Sequence, residues 1–437
     1  MALSTQPYKG ARDFYPEDKR LQKYLFGVMR SVVERYGYEE YDAPILEPLE
    51  LYAAKTSDEI VNDQTYLFVD RGGRQVVIRP EMTPTVSRMV AAKRQELAYP
   101  LRWYSIPNLW RYERPQHGRL REHWQLNVDL FGIENLSAEL EIIQIGDALL
   151  KAYGATHEMF TIKVNSRRLT NYILAEHFKL TPIQQQLICK LIDRMHKIDE
   201  AEFAAEIDSI FTPSQRPSGD IEKLLALLKV KKINDLPEDI RNNDACKQLE
   251  QVMGRLKDGH VSNAVFDITL MRGFDYYTDI VFEVFDTDPA NQRALLGGGR
   301  YDGLVGLFGV EPLATVGFGM GDVSLQNFLT VHDLLPKNKP ETDAYVVLIG
   351  DVYEASQKII GNLREMGLNL AVDISGGKAD KQIKSAVKKG INYAIFIGDK
   401  ELADEQYTLK NLITSQEERH SAERIVSIIK DYRGENF

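Results

Sequence analysis

Apolar and polar side chains alternate regularly through residues 124–130. One face of this stretch carries the apolar residues Trp124, Leu126, Val128 and Leu130. The opposite face carries Gln125, Asn127 and Asp129. A period of two residues is typical of a half-buried β-strand. Because buried polar groups need partners, the polar face is predicted to look into a cavity that holds a polar ligand or water.

Two helices and a hairpin are predicted around this strand. An apolar stripe predicts a helix over 16–36, and a second helix is predicted over 137–153. Within 66–83, two apolar strands flank a predicted turn at Gly72 and Gly73. These elements indicate a globular domain in which strands and helices are mixed.

Prolines and glycines mark further strands. The stretch 38–52 is predicted to be an edge or intersubunit strand, because Pro44 and Pro48 cannot donate to a ladder of hydrogen bonds. The glycine triplet 297–299 is predicted to form a turn that fits a flat ring or a phosphate against bare backbone. Glycines alternate through 315–321, which predicts a strand on which a planar group can pack.

Changes of pattern along the chain predict the domain organisation. Residues 166–263 are helical in pattern and heavily charged, which predicts a helical insertion. Strand patterns then resume, and Tyr276 and Tyr277 are predicted to open a strand. A polar linker at 337–342 precedes alternating strands and helices, which predict a small parallel-sheet α/β domain. The predicted boundaries are 1–165 and 264–335 for the divided β-rich domain, 166–263 for the insertion and 341–437 for the last domain.

Charged residues concentrate in the central hairpin. Arg111 and Glu113 are predicted to share a strand face, and Arg114, Arg119 and Arg121 lie in the following loop. The planar donors of arginine can meet two phosphate oxygens at once, so the strands are predicted to bind a small polyanion and the loop a larger one. The alternative is that these arginines form an ordinary solvated surface.

A second candidate site follows the first hairpin. Arg79, Glu81 and Thr83 occupy alternate positions there. A carboxylate beside a hydroxyl could bind an ammonium group, which needs acceptors in a tetrahedral arrangement. An equally good alternative is that Glu81 caps the helix that begins near Thr83.

Composition narrows the class of protein. The chain has 437 residues, of which 43% are hydrophobic and 27% charged, and its formal net charge is −10. No apolar run approaches bilayer length, and the first residues lack the pattern of a secretion signal. Cys189 and Cys246 lie far apart, which favours a reducing cytoplasm over a disulfide framework or a cysteine metal site. Because the net charge is negative, any polyanion must bind at local basic patches. This favours a specific polyanionic partner over nonspecific binding.

The motifs together resemble those of the class II aminoacyl-tRNA synthetases and, within that class, the histidyl-tRNA synthetase family. The resemblance covers essentially the whole chain. YEEYDAPILE, which contains Pro44, is similar to the first class motif at the dimer interface, and residues 109–132 are similar to the second motif and its loop. RGFDYY at 272–277 and GGGRYDGL at 297–304 resemble the segments that distinguish the histidine-specific family.

This resemblance implies a fold and an activity. The fold would be an α+β catalytic domain with a mixed, mainly antiparallel sheet, a helical insertion and a C-terminal α/β anticodon-binding domain. The enzyme would activate L-histidine with ATP to histidyl-adenylate and transfer it to the 3′ end of tRNA(His), releasing pyrophosphate and AMP. ATP would be a substrate, accompanied by Mg²⁺. The protein would be a cytoplasmic homodimer without a membrane association.

The resemblance also implies the residues for ATP and for catalysis. Arg111 would hold the α-phosphate and Glu113 the adenine, with Arg119 and Gly319 also at the nucleotide. Arg272 would lie beside the reacting carboxylate and the α-phosphate. Arg272 and Arg111 are thus the implied catalytic residues, and no protein metal site is implied.

Histidine and tRNA have their own implied residues. Glu81, Thr83 and Gln125 would bind the amino group of histidine, Asp129 and Tyr276 its two imidazole nitrogens, with Arg272 and Tyr277 completing the histidine site. Those implied for the acceptor end of tRNA are Arg114, Gln116, Arg119 and Arg121.

The chain departs from the family pattern at two positions. Many members have glutamate where this chain has Asp129, and the shorter acid keeps the charge. In the third class motif, Ser324 occupies the position of an arginine that binds the γ-phosphate. Either another cation substitutes, for which Arg119 is the candidate, or adenylation is impaired.

The second departure keeps a further function open. The chain could be a non-catalytic, synthetase-like protein that regulates histidine metabolism or senses histidine or tRNA. Such relatives usually lack the anticodon-binding domain that residues 341–437 resemble. A synthetase for another amino acid is the weaker alternative, because RGFDYY and the acid at Asp129 suit an imidazole.

Overall fold

The computed structural model describes residues 3–53, 64–271, 276–337 and 339–434. The chain divides into two units, Met1–Asp13 with Lys23–Leu335 and Phe14–Gln22 with Pro336–Phe437. Among the described residues, no helix is both long enough and apolar enough to cross a membrane.

Twelve strands and eleven α-helices precede the sheet of the second unit in the described part of the chain. The strands are β1 (Glu39–Glu40), β2 (Leu46–Pro48), β3 (Tyr66–Val69), β4 (Gln75–Ile78), β5 (Leu101–Ser105), β6 (Asn108–Trp110), β7 (Glu122–Phe131), β8 (Phe160–Ser166), β9 (Ala264–Phe266), β10 (Ile280–Asp286), β11 (Ala294–Arg300) and β12 (Thr315–Gly321). The α-helices are α1 (Pro16–Arg35), α2 (Leu49–Ala53), α3 (Thr83–Ala92), α4 (Ser137–Ala152), α5 (Arg167–Tyr172), α6 (Pro182–Asp193), α7 (Glu200–Ile210), α8 (Asp220–Leu227), α9 (Glu238–Arg241), α10 (Asp244–Asp258) and α11 (Asp322–Val331). A π-helix spans Ile173–His177, and short 3₁₀ turns span Met195–Lys197, Arg216–Ser218, Ile233–Asp235 and Val305–Phe308.

The main sheet is mixed and mainly antiparallel, as expected. Its order is β1-β5-β7-β12-β11-β10-β8-β9, and β6 also pairs with β7. The pairs β1–β5 and β8–β9 are parallel, and the other pairs are antiparallel. Strand β7 therefore lies inside the sheet, between β5 and β12.

The proline-containing stretch 38–52 forms sheet edges, as predicted, but as two short strands, and its residues 49–52 lie in helix α2. Strand β1 is the terminal strand of the main sheet and pairs only with β5 among the described strands. Strand β2 is an edge of a separate sheet of order β2-β4-β3, in which Pro48 is its last residue. The predicted hairpin is also present, because β3 and β4 pair antiparallel around the turn that contains Gly72 and Gly73.

The prediction of a glycine turn at 297–299 is wrong. All three glycines lie inside β11 and pair with both β10 and β12. A Cβ added to Gly298 would lie 2.0 Å from the carbonyl oxygen of Gly317, and one added to Gly299 would lie 2.5 Å from that of Ile280. The glycines are thus needed because neighbouring backbone approaches closely in the middle of the sheet.

Tyr276 and Tyr277 do not open a strand, contrary to the prediction. Strand β10 begins at Ile280, which pairs with Ser166. Ser166 is the last residue of β8, and its side chain caps α5 by accepting a hydrogen bond from Leu169 N. Because the chain turns into α5 directly after Ser166, the ladder between β8 and β10 ends at Ile280.

The segment predicted as a helical insertion contains no strand between 167 and 263, all of which the structure describes. Helices α5 to α10 fill it. Their apolar faces are buried, with Ile188, Ile207, Leu224 and Leu249 at most 1% exposed.

The second unit is an α/β fold. Its elements are β13 (Ala344–Leu348), α12 (Tyr353–Glu365), β14 (Leu370–Val372), α13 (Ala379–Lys388), β15 (Tyr393–Ile397), α14 (Asp399–Asp404), β16 (Tyr407–Asn411), β17 (Glu417–His420) and α15 (Ala422–Gly434). Strand order is β14-β13-β15-β16-β17. The first three strands are parallel, as predicted, but β16 and β17 are antiparallel. The edge strand β17 was missed because its sequence, EERH, is charged and largely exposed.

Candidate active site

The polar face of β7 lines a central cleft, as its alternating pattern predicted. The cleft brings together most residues predicted for histidine and two of the four predicted for ATP. These are Glu81, Thr83, Arg111, Gln125, Asp129, Tyr276, Tyr277 and Gly319, and they are joined by Asn127, Gly297, Tyr301, Gly317 and Phe318. Residues from β7, β11 and β12 thus meet residues at the start of α3, after β6 and before β10.

Glycines of β12 make room for the polar side chains of β7. A Cβ on Gly317 would lie 2.3 Å from Oδ1 of Asp129, and one on Gly319 would lie 2.5 Å from Nε2 of Gln125. Such distances are well below van der Waals contact. The alternating glycines of β12 therefore let the Asp129 and Gln125 side chains lie flat across the neighbouring strand.

Asp129 is a buried acid of the cleft, and its pKa is raised. The residue is only 3% exposed, and its Oδ1 accepts a hydrogen bond from the Tyr301 hydroxyl. The buried Oδ2 has no hydrogen-bond partner among the described residues. Burial raises the pKa of Asp129 to about 7, although the hydrogen bond from Tyr301 opposes this shift. Asp129 thus offers one free acceptor oxygen and can exchange a proton near neutral pH.

Glu81 also lines the cleft and is 2% exposed. The Tyr276 hydroxyl donates to its Oε2 over 3.5 Å. The alternative in which Glu81 caps a helix is wrong, because the N-cap of α3 is Met82 and no side chain caps that end. Instead, the Glu81 carboxylate faces the cleft together with Thr83.

The cleft has an aromatic wall. The Tyr276 ring centroid lies 5.6 Å from that of Tyr301 and 4.8 Å from that of Tyr277. Burial and the nearby Asp129 carboxylate raise the pKa of the Tyr301 hydroxyl, so it remains a hydrogen-bond donor at neutral pH. Tyr301 was not predicted as a site residue. The GGGRYDGL motif that contains it was the available signal.

Arg111 and Glu113 do not lie in a strand, because β6 ends at Trp110. The backbone of the next residues turns: Arg111 N donates to Arg121 O, but Tyr112 N donates to Gln64 O. Arg111 nevertheless reaches the central cleft, where its Nε donates to the Pro80 carbonyl oxygen over 2.9 Å.

Glu113 and Arg119, both predicted at ATP, bind each other. Nε and Nη2 of Arg119 contact the two carboxylate oxygens of Glu113. The Glu113 side chain is 7% exposed and that of Arg119 is 37% exposed, so the pair lies at the rim of the site. The charge of Arg119 is already balanced in this structure.

The remaining loop residues divide into two kinds. Arg114 and Gln116 are exposed. Arg121, in contrast, packs its guanidinium 4.1 Å from the ring centroid of Tyr112 and donates from Nη1 to the Tyr8 hydroxyl over 3.0 Å. Its Nε also donates to the carbonyl oxygen of Glu113 over 3.0 Å.

His123 lies at the base of this loop and is not among the predicted site residues. Burial lowers its pKa to about 3, with further lowering by the charges of Arg111, Arg12 and Arg119. His123 is therefore neutral at physiological pH. Its sequence position gave no signal, because the neighbouring arginines come from separate segments.

Asp322, the first residue of α11, connects this helix to β7. Its Oδ1 accepts from Trp124 N over 2.9 Å, and its Oδ2 accepts from Arg12 Nη2 over 2.6 Å. Burial raises the pKa of Asp322, against the opposing effect of Arg12. This contact fixes Ser324, the departure from the third motif, relative to β7. Arg272, the other predicted catalytic residue, lies outside the described residues.

Comparisons with known proteins agree on one family. A family model described as histidyl-tRNA synthetase matches residues 10–321, and one described as an anticodon binding domain matches residues 343–432. A histidine–tRNA ligase from Leptospira biflexa is 43% identical over 431 residues, which cover 98% of each chain. One from Thermoplasma volcanium is 35% identical and covers 95% of this chain and 96% of its own.

The fold agrees as well. The crystal structure of histidyl-tRNA synthetase from a Nostoc species superposes with a TM-score of 0.83, at 24% identity. The superposition covers 99% of this chain and 100% of that one.

Proposed function

Because the chain belongs to the histidyl-tRNA synthetase family, we propose that it joins histidine to tRNA(His) in two steps driven by ATP. The observation that carries this proposal is the composition of the central cleft. A free, buried oxygen of Asp129 faces the same space as the Glu81 carboxylate and the Arg111 guanidinium. These groups match an imidazole, an ammonium group and a phosphate, respectively.

In the first step, a carboxylate oxygen of histidine attacks the α-phosphorus of ATP. A new O–P bond forms, the bond from the α-phosphorus to the oxygen that bridges to the β-phosphate breaks, and its electron pair leaves with pyrophosphate. The two reacting groups are both anionic, so cations must offset their repulsion. Arg111 fills this role from the cleft, and Arg272 is the proposed second cation.

Recognition of histidine depends on both ends of the molecule. Glu81, Thr83 and Gln125 accept hydrogen bonds from the α-ammonium group. Asp129 accepts from one imidazole N–H through Oδ2, and Tyr276, beside Tyr277, contacts the other ring nitrogen. Because no protein nucleophile takes part, catalysis rests on holding the reactants in position and balancing their charges.

The nucleotide occupies the space between Arg111 and the hairpin loop. Glu113 recognises the adenine, Gly319 leaves room for the nucleotide, and Arg119 contacts phosphate after leaving its pair with Glu113. ATP would enter as its magnesium complex, because Mg²⁺ at such sites is usually bound by substrate phosphates. The Asp322 carboxylate is already paired with Arg12, so it would leave the coordination of this ion to the phosphate oxygens. Mg²⁺ would neutralise charge on the leaving pyrophosphate.

In the second step, a ribose hydroxyl at the 3′ end of the tRNA attacks the histidyl carbonyl carbon. A C–O bond from that carbon to the ribose forms, its bond to the phosphate oxygen breaks, AMP leaves with the electron pair, and the hydroxyl proton is released to solvent. Arg114, Gln116, Arg119 and Arg121 are the proposed contacts for the acceptor end. The match of residues 343–432 to an anticodon binding domain supports contact with the other end.

We also propose the domain boundaries that the sequence predicted. The catalytic domain comprises 1–165 and 264–335, the insertion 166–263 and the anticodon-binding domain 341–437. They agree with the position of β8 and β9 on either side of the helices and with the start of β13 at Ala344.

A homodimer is the proposed assembly. Exposed apolar side chains accompany the edge strands β2 and β3, namely Ile45, Leu46, Leu67, Phe68 and Val69. A partner subunit would cover them. The molar mass in solution, measured by light scattering, tests this proposal. The cytoplasm is the proposed compartment, where Cys189 and Cys246 would stay free as they are in this structure.

The non-catalytic alternative is not favoured. Relatives that match nearly the whole chain, including the segment with the anticodon binding domain, are histidine–tRNA ligases. The decisive measurement is amino-acid-dependent exchange of labelled pyrophosphate into ATP, with each standard amino acid in a separate well. Exchange with histidine alone supports the proposal. Binding of histidine without exchange would instead require the regulatory function.

A further inference from the structure

A second cavity lies beside the hairpin loop and has a volume of about 670 Å³. We call it the loop cavity. Its walls are the hairpin loop 116–119, the loop 289–293 that joins β10 to β11, and the side chains of Lys197, Leu295, Ser324 and Asn327. Arg111 lines the central cleft, and Arg119, further along the same hairpin, lines the loop cavity.

The loop cavity is positively charged, although the chain has a formal net charge of −10. Arg119, Lys197 and Arg293 line it, and no aspartate or glutamate is among its described lining residues. A concave surface lined by positive charges and no negative ones favours an anionic ligand. The loop cavity lies beside the same hairpin that carries Arg111. If the α-phosphate of a nucleotide lies at Arg111, the anion expected in the loop cavity is the phosphate tail of that nucleotide.

The cations differ in how much of their charge is already balanced. Arg119 is paired with Glu113. Arg293 makes no hydrogen bond or ion pair with any residue that the structure describes. An arginine whose donors have no protein partner can direct all of them to phosphate oxygens.

Arg293 is nevertheless held in place. A Cβ added to Gly118 would lie 3.1 Å from Cδ of Arg293 and 3.6 Å from Nδ2 of Asn327, so the arginine stem lies against the hairpin loop. The preceding loop is anchored, because Asn291 Nδ2 donates to Asp286 Oδ2 over 2.7 Å. Asp286 Oδ1 also lies 2.8 Å from Nε2 of His332.

We infer that Arg293 binds the β- and γ-phosphates of ATP from the β10–β11 loop and so provides the cation that Ser324, on α11, cannot. This inference rests on the proposed function. During adenylation, the α-phosphorus gains an oxygen of the histidine carboxylate and loses the oxygen that bridges to the β-phosphate. The electron pair of the broken bond stays on pyrophosphate, and Arg293 stabilises the added negative charge there.

The first test compares nucleotides that differ in their phosphate tail. Arg293→Gln is expected to weaken binding of ATP and of inorganic pyrophosphate by about tenfold or more, the range of a lost charge-assisted contact, in titration calorimetry. Binding of AMP should stay unchanged, because AMP lacks the β- and γ-phosphates. Arg293→Lys should retain part of the ATP affinity. Arg241→Gln, which removes an exposed arginine in α9 outside the cavity lining, is the matched control.

The second test moves the cation from the β10–β11 loop to α11, which also lines the loop cavity. Ser324→Arg, added to Arg293→Gln, should restore much of the rate of histidine-dependent pyrophosphate exchange and lower the KM for ATP again. The KM for histidine should stay constant throughout the series. A purely structural role of Arg293 would not be rescued from α11, and thermal unfolding of each variant reports whether the fold is intact.

Two results would overturn the inference. In the first, Arg293→Gln binds ATP and AMP with wild-type affinities. In the second, exchange is normal and only tRNA charging falls, which would show that Arg293 serves acceptor phosphates. Failure of the proposed function looks different: the wild-type protein itself would then show no histidine-dependent exchange, and the comparison of ATP with AMP would still decide whether Arg293 binds the phosphate tail.

Discussion

The hydroxyl of Tyr301 donates to one carboxylate oxygen of Asp129 and leaves the other oxygen without a partner among the described residues. Tyr301 directly follows β11 and Asp129 lies in β7, so the contact crosses β12. Gly317 of β12 permits this crossing. The free oxygen is thus fixed in position before any ligand arrives.

Asp129→Asn tests the recognition of imidazole. If Tyr301 keeps its bond to the amide oxygen, the amide nitrogen replaces the free acceptor, and two donors then face each other when histidine binds. We expect the KM for histidine to rise by roughly tenfold to a hundredfold, as for loss of a hydrogen bond to a charged group. The KM for ATP should change little. Steady-state pyrophosphate exchange measures both constants, and equal losses for the two substrates would argue against an imidazole contact.

The pH dependence of stability tests the environment of Asp129. Its pKa in the folded protein is raised from 3.8 to about 7 by burial. The folded state therefore favours the protonated acid, and this contribution to stability is complete below the unfolded pKa and disappears as the pH rises through the folded one. Relative to Asp129→Asn, the wild-type protein should lose about 1.4 kcal/mol of unfolding free energy per pH unit between about pH 5 and 7. Urea unfolding at several pH values gives this difference, and parallel pH profiles of the two proteins would contradict it.

Strand periodicity predicts part of this site from the sequence, whereas the glycine pattern is ambiguous. The period of two around Gln125 and Asp129 predicts both the strand and the face that lines the cleft, because alternation is a direct consequence of strand geometry. The glycine triplet 297–299 predicts a turn, but the three glycines lie in β11. Glycine serves a tight turn and a close backbone approach equally well, and only the neighbouring strands distinguish the two.

The sequence does not predict which side chains from different segments contact each other. Nothing in the sequence indicates that Glu113 pairs with Arg119, since any of several nearby arginines could have bound it. Arg293 gave no signal either, because its position depends on how the β10–β11 loop meets the hairpin loop in space. Motif resemblance was informative where local residues alone left alternatives, as for Glu81.

Gly317→Ala tests the crossing of β12 by the Asp129 side chain. The new methyl group would lie 2.3 Å from Asp129 Oδ1 and 2.7 Å from the Val128 carbonyl oxygen. We expect a loss of roughly 1–3 kcal/mol in unfolding free energy, as for overpacking, together with a higher KM for histidine. Gly303→Ala is the matched control, because its Cβ would meet no atom within 4 Å. Similar behaviour of the two variants in urea unfolding and pyrophosphate exchange would show that β12 has more room than its geometry indicates.

Arg114 and Arg121 should behave differently although both are predicted at tRNA. Arg114 is exposed, so Arg114→Gln should raise the KM for tRNA in charging assays and lower the salt-dependence slope of tRNA binding by about one, while pyrophosphate exchange stays normal. Arg121 is packed against Tyr112 and bonded to the Glu113 carbonyl oxygen. Arg121→Gln should therefore disturb the loop that carries Arg111 and Glu113 and reduce exchange as well as charging, with a cost of about 0.5–1 kcal/mol from the lost ring contact alone. If Arg121→Gln impaired charging only, the contacts of Arg121 within the loop would not matter for adenylation, and its main role would be at the tRNA.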